Sequence, residues 1–181
     1  MSEKLLVWLD LETTGLVPEE PVNDQILEVG IVLTNLQLKH ISNFQALLEI
    51  PESTLMSEYV TKMHAHSGLL QDCRTFGVGL EQVTTELIRF LDRHELKENI
   101  ILHGSTVHFD ARFIRRWMPA FAARLHHRIV DVSSLKEVVR TYCPGHLPPP
   151  IVSNHRALFD CRDSIDEFKH YGKTFNLLPR E

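Results

Sequence analysis

LLVWLDLETTGL, residues 5–16, carries an apolar run into two carboxylates, Asp10 and Glu12, two positions apart. Residues 4–9 (KLLVWL) are short and rich in β-favouring side chains, which reads as a strand. Alternate residues of a strand face the same side, so Asp10 and Glu12 stand side by side with backbones roughly 6–7 Å apart. Burying two unpaired carboxylates together is costly unless a cation lies between them. The competing reading puts Glu12 beyond the strand end, in water, with Thr13-Thr14-Gly15 an ordinary turn.

Outward from this segment, residues 26–34 (ILEVGIVLT) and 43–50 (NFQALLEI) read as two more strands. Three strands in close succession suggest an antiparallel meander. The character then changes. Residues 80–94 carry apolar side chains at 80, 83, 87, 88 and 91, a helical spacing. Residues 99–103 (NIILH) read as a short strand, 110–125 as a helix and 129–132 (IVDV) as a strand. Ser134 and Glu137 form a capping box that opens the next helix, and a last helix covers about residues 156–175. Strands alternating with helices imply parallel pairing through crossovers, so an α/β fold is expected, with one mixed five-stranded sheet flanked by helices. The prolines of residues 144–154 (PGHLPPPIVSN) exclude a helix or central strand there. With 181 residues and no repeat or linker, a single domain over residues 1–181 is expected.

Composition narrows the function classes. The chain is 43% hydrophobic and 24% charged, as ordinary globular proteins are. No apolar stretch approaches the roughly 18 residues of a membrane span, and the first residues do not resemble a secretion signal, so a cytoplasmic protein with no membrane partner is expected. Cys73, Cys143 and Cys161 are odd in number and widely spaced, which supports neither a disulfide framework nor a zinc knuckle. A net charge of −5 argues against an extended basic groove for long nucleic acid. A polyanion still binds where metal ions supply the positive charge.

Two further places carry carboxylates with company. Asp110 shares a helix face with Phe113, Ile114, Trp117 and Phe121, and reads either as an N-cap or as a ligand. In residues 154–168 the apolar stripe runs through Ala157, Cys161, Ile165 and Phe168, with Asp160 at its edge and Arg162, Asp163 and Asp166 on a solvated far side. His155 lies five residues before Asp160, at or just before the helix start. Four carboxylates converging at a sheet end suit two divalent cations about 3.5–4 Å apart. Magnesium and manganese prefer such oxygen donors. A histidine with an ordinary pKa of about 6.5 suits the removal of a proton from water.

D-L-E-T-T-G-L at 10–16, V-H-F-D at 107–110 and H-R-A-L-F-D at 155–160 resemble the three exonuclease motifs of the histidine-bearing branch of the DEDD superfamily. The resemblance implies an RNase H-like fold, 3′ to 5′ exonuclease activity, two Mg2+ or Mn2+ ions on Asp10, Glu12, Asp110 and Asp160, and His155 as general base. Residues 63–70 (MHAHSGLL), 126–144 (HHRIVDVSSLKEVVRTYCP) and the segment from His155 onward are similar to the oligoribonuclease family, which cleaves the shortest RNA oligonucleotides. That likeness implies that Leu16 wedges between two bases, that Tyr59 stacks on one where the family usually has tryptophan, that His64 lies near the nucleotide, and that Thr106 lies near the substrate. It also implies a homodimer in which the partner chain closes over the 5′ phosphate, with Arg128 and Ser133 matching that cap and His127 replacing its tyrosine.

Thr13, Ser105, His108 and Phe109 depart from the oligoribonuclease pattern towards the wider superfamily. The alternative function is therefore a broader 3′ to 5′ exonuclease on single-stranded RNA or DNA 3′ ends, of the proofreading or repair type. A module that grips a 3′ end without cleaving it is a second alternative. The pairs His64–His66 and His126–His127 suggest a transition-metal site, but no third ligand is recognisable beside either.

Overall fold

β1 (Leu6–Thr13) is the central strand of the computed structural model, which describes residues 4–51, 54 and 56–178. It pairs antiparallel with β2 (Ile26–Thr34), which pairs antiparallel with β3 (His40–Leu47). The chain then forms α1 (Glu58–His66), α2 (Leu69–Phe76) and α3 (Leu80–Arg93) before β4 (Ile100–Gly104). α4 (Val107–Trp117) and α5 (Pro119–Ala122) lead to β5 (Leu125–Asp131), followed by α6 (Val132–Tyr142), a 3-10 turn at Pro144–His146 and α7 (Ala157–Thr174). β4 pairs parallel with both β1 and β5, giving the order β3-β2-β1-β4-β5. The meander, the crossovers and the mixed five-stranded sheet are those expected from the pattern of apolar residues.

The alternation of β1 sorts its side chains between two cores. Val7, Leu9 and Leu11 pack with Leu87 and Leu91 of α3 and with Phe113 and Ile114 of α4. Trp8 packs on the opposite face with Val139 of α6 and with Cys161, Ile165 and Tyr171 of α7. Asp10 and Glu12 have the parity of Trp8, so they lie on the face that α7 covers. Gly30 stands opposite Asp10 in the β1–β2 register. A Cβ there would lie 2.6 Å from the Ala157 carbonyl carbon and 2.8 Å from the Leu158 nitrogen. The bare backbone of Gly30 thus lets the start of α7 rest directly on β2.

Several boundaries differ from expectation. β1 continues to Thr13, so Glu12 is within the strand and 6% exposed, which rules out its placement in water. β3 begins at His40, and beyond it Leu48 keeps one bridge to Val78. The helix expected over 110–125 is two pieces, because Pro119 opens a new turn after Met118. The capping box at Ser134–Glu137 is not what opens α6. Asp131 is the cap, accepting from the Ser133 and Ser134 nitrogens at 2.9 and 3.4 Å. Among the described residues no helix is long and apolar enough to cross a membrane.

Candidate active site

The end of β1, the first turn of α4 and the start of α7 meet at one end of the sheet. Glu12, His155 and Asp160 each bring a ligand atom to within 4.8 Å of the others. Asp10 and Asp160 border one open pocket beside them. Asp110 comes from the opposite side of the sheet, where its Oδ1 accepts from the Leu11 nitrogen at 2.9 Å, between the two β1 carboxylates. It is not a cap: Thr106 precedes α4, and Asp110 is a buried residue of the first helical turn.

The electrostatics follow from burial without counter-charge. Desolvation raises the Asp10 carboxyl well above its ordinary value, and Asp110, Glu12 and Asp160 add like-charge repulsion. Desolvation, then Asp160 and Glu28, push Glu12 up to about 8. Burial pushes Asp110 up to about 7 against the opposing hydrogen bond from Leu11. Asp160 is also raised by burial, with the Ser153 hydrogen bond pulling the other way. A positive charge between these carboxyls would offset both the desolvation and the repulsion. Such a crowded set of oxygen donors fits divalent metal ions.

The loop before α7 is shaped around His155, whose φ of 51° is in the left-handed region. The Ser153 hydroxyl lies 2.9 Å from both Asp160 oxygens, accepts from the His155 nitrogen at 2.9 Å, and sits 3.3 Å from His155 Nδ1. Nε2 of His155 has no hydrogen-bond partner among the described residues. Nothing in its sequence context distinguishes Ser153, a serine in a proline-rich loop. Asp163, expected on a solvated face, is half-buried and borders the pocket of Asp10 and Asp160.

Leu16 and Tyr59 are 69% and 74% exposed, apolar side chains standing in solvent. Leu16 follows Gly15, where a Cβ would meet the Asp24 carboxylate at 2.3 Å, and Asp24 in turn accepts from the Val17 nitrogen at 2.8 Å. His64 is fully buried behind the site. Its Nε2 is 2.9 Å from the Thr13 carbonyl, and its Nδ1 lies 3.8 Å from Glu12 with no hydrogen-bond partner among the described residues. Burial lowers its pKa, which favours the neutral ring. Thr106 has a left-handed φ of 56°, and its Oγ1 is 3.0 Å from the Ser133 hydroxyl of the same chain. The Asp131 carboxylate holds this pair together by accepting from the Thr106 nitrogen at 3.0 Å and the Ser133 nitrogen at 2.9 Å. Arg128 is exposed on β5, and its side chain makes no hydrogen bond or ion pair among the described residues. The His126 and His127 rings stack at 4.2 Å, but the metal-sized cluster among the described residues is Glu12, His155 and Asp160.

Residues 7–168 match the RNase T family, described as exonuclease. Over 176 residues the chain is 39% identical to a probable oligoribonuclease of Dictyostelium discoideum, covering 94% of this chain and 90% of that one. It is 35% identical over 182 residues to an oligoribonuclease of Halorhodospira halophila, covering 98% of each. Among solved structures, the zinc-bound E. coli exonuclease I complex with single-stranded DNA superposes with a TM-score of 0.73 at 13% identity. That likeness covers 95% of this chain and 41% of the other, and at such identity it speaks for the fold.

Proposed function

We propose, since the chain belongs to the oligoribonuclease family of RNase T exonucleases, that it removes nucleotides from the 3′ ends of short oligoribonucleotides, dinucleotides especially, as 5′-mononucleotides. The observation that carries this reading is the convergence of Asp10, Glu12, Asp110, His155 and Asp160 at one end of the sheet. Asp10, Glu12, Asp110 and Asp160 would hold two divalent ions, Mg2+ or Mn2+. When bound, such a pair acidifies an attacking water and stabilises the leaving oxygen.

His155 accepts the proton of that water as its oxygen bonds to phosphorus. The bond from phosphorus to the 3′ oxygen breaks, and that oxygen takes a proton to become the new 3′ hydroxyl of the shortened chain. Leu16 separates the last two bases and Tyr59 stacks on one, roles that suit exposed apolar side chains. His64, neutral and buried, lines the floor beneath the nucleotide. Thr106 and the Ser133 hydroxyl it touches in the same chain meet the 5′ phosphate of the substrate together with Arg128, and a second copy closes over that phosphate in a homodimer.

The test is a time course with 5′-phosphorylated RNA and DNA of two, five and about twenty nucleotides, in magnesium or manganese, with Asp10→Ala as control. Cleavage of the RNA dinucleotide far ahead of longer strands is expected. Equal or faster shortening of long strands, or of DNA, would replace this reading with the broader single-strand exonuclease.

A further inference from the structure

Glu28 is fully buried in β2, directly opposite Glu12 in the register, and a carboxylate there needs donors. Its donors come from the start of α7. The Ala157 nitrogen reaches Oε2 at 2.9 Å, Arg156 Nε reaches the two oxygens at 3.4 and 3.3 Å, and Arg156 Nη2 reaches Oε1 at 3.2 Å. Gln45 on β3 adds a bond of 2.6 Å. Arg156 Nη1 also reaches Asp72 on α2 at 2.9 Å. Arg156 occupies the N-cap position of α7 with no side-chain cap of its own, so a carboxylate from a distant strand does the capping.

We propose that Glu28 is a positioning residue, acting through Arg156 and the Ala157 nitrogen to set His155 and Asp160 against Glu12. The inference rests on the proposed metal-dependent hydrolysis at that site. The geometry gives the reason. Arg156 lies between His155 and Ala157 in the chain, and Asp160 follows within the first turn of the same helix. Glu12 and Glu28 are cross-strand neighbours, so one buried carboxylate references both halves of the cluster to the same point of the sheet. The side-chain hydrogen bonds of Glu28 and Arg156 go to Ala157, Gln45, Asp72 and each other, and to none of the five cluster residues, which makes their action indirect.

The experiment compares Glu28→Gln and Arg156→Gln with the parent chain. It measures Mn2+ affinity by electron paramagnetic resonance of the free ion, and kcat and KM on a 5′-phosphorylated RNA dinucleotide. Positioning predicts that both variants bind Mn2+ about 10-fold or more weakly and lose about 10- to 100-fold in kcat, with KM little changed. A purely electrostatic role predicts opposite signs: weaker Mn2+ binding without the carboxylate and tighter binding without the cation. That pattern, or parent-like values in both folded variants, overturns the inference. Should either glutamine variant fail to fold, Arg156→Lys, which keeps the charge but loses the fork, is expected to show the same losses, and parent-like values would overturn it. A parent chain that binds Mn2+ yet cleaves nothing would remove the functional reading, while the Mn2+ comparison would still decide the role of Glu28.

Discussion

At the scale of single residues, the carboxyl cluster makes stability depend on pH in a direction opposite to most acidic groups. Glu12 near 8 and Asp110 near 7 keep protons that the unfolded chain releases at about 4. Between those limits the folded state binds more protons, so stability is full below about pH 4 from these groups and falls as pH rises to 8. In chelator, the melting temperature is expected to be lower at pH 8 than at pH 5, and saturating Mg2+ should reverse the loss. A melting temperature that ignores both would take the cluster out of the metal site. By the same reasoning Asp10→Asn should abolish cleavage yet raise the metal-free melting temperature at pH 8, and a lowered one would contradict the repulsion. His155→Ala is expected to slow turnover by about 100- to 10,000-fold and to flatten the acid limb of the pH–rate profile. The five residues of the cluster were legible in the sequence because three motifs lie in a fixed order. Glu28 left one overlooked signal, a lone carboxylate inside the apolar run ILEVGIVLT. Its partner Arg156 lies 128 positions away, and no local pattern records so distant a pairing.

At the scale of elements, α7 depends on the missing side chain of Gly30. Gly30→Ala must push the helix start off β2, at a cost of about 1–3 kcal/mol, and should reduce kcat by more than that loss of stability explains. Calorimetry together with kinetics checks this, and full activity would show that the helix start tolerates displacement. Asp131→Ala removes the α6 cap, worth about 1 kcal/mol, and frees Thr106 from Ser133. It should raise KM for a 5′-phosphorylated dinucleotide more than for one lacking the phosphate. The strongly periodic elements, β2 and α3 above all, were readable to within a residue. α1 and α2 were not, because α1 buries Val60 and His64 alone and gives no apolar stripe. Ser134 and Glu137 fit the capping-box spacing, whereas the actual cap of α6, Asp131, closes the preceding strand and the helix begins at once.

At the scale of the whole molecule, the sheet order leaves β5 as an edge that presents Arg128 to solvent. If a second copy supplies the phosphate cap, Arg128→Ala should weaken dinucleotides bearing a 5′ phosphate far more than those without it, and equal weakening would reject the cap. The fold class was legible because strand–helix alternation implies parallel crossovers, whereas contacts between copies have no such signature. The sheet also joins distant parts of the chain: β1 pairs in parallel with β4, and its carboxylates meet a helix that starts at Ala157. Chains leave the ribosome from the N-terminus onward and fold as they emerge. A nascent chain still short of residue 155 carries Asp10, Glu12 and Asp110 but neither the histidine nor the last carboxylate. Under the proposed function, hydrolytic competence therefore waits until α7 has emerged and settled on β2.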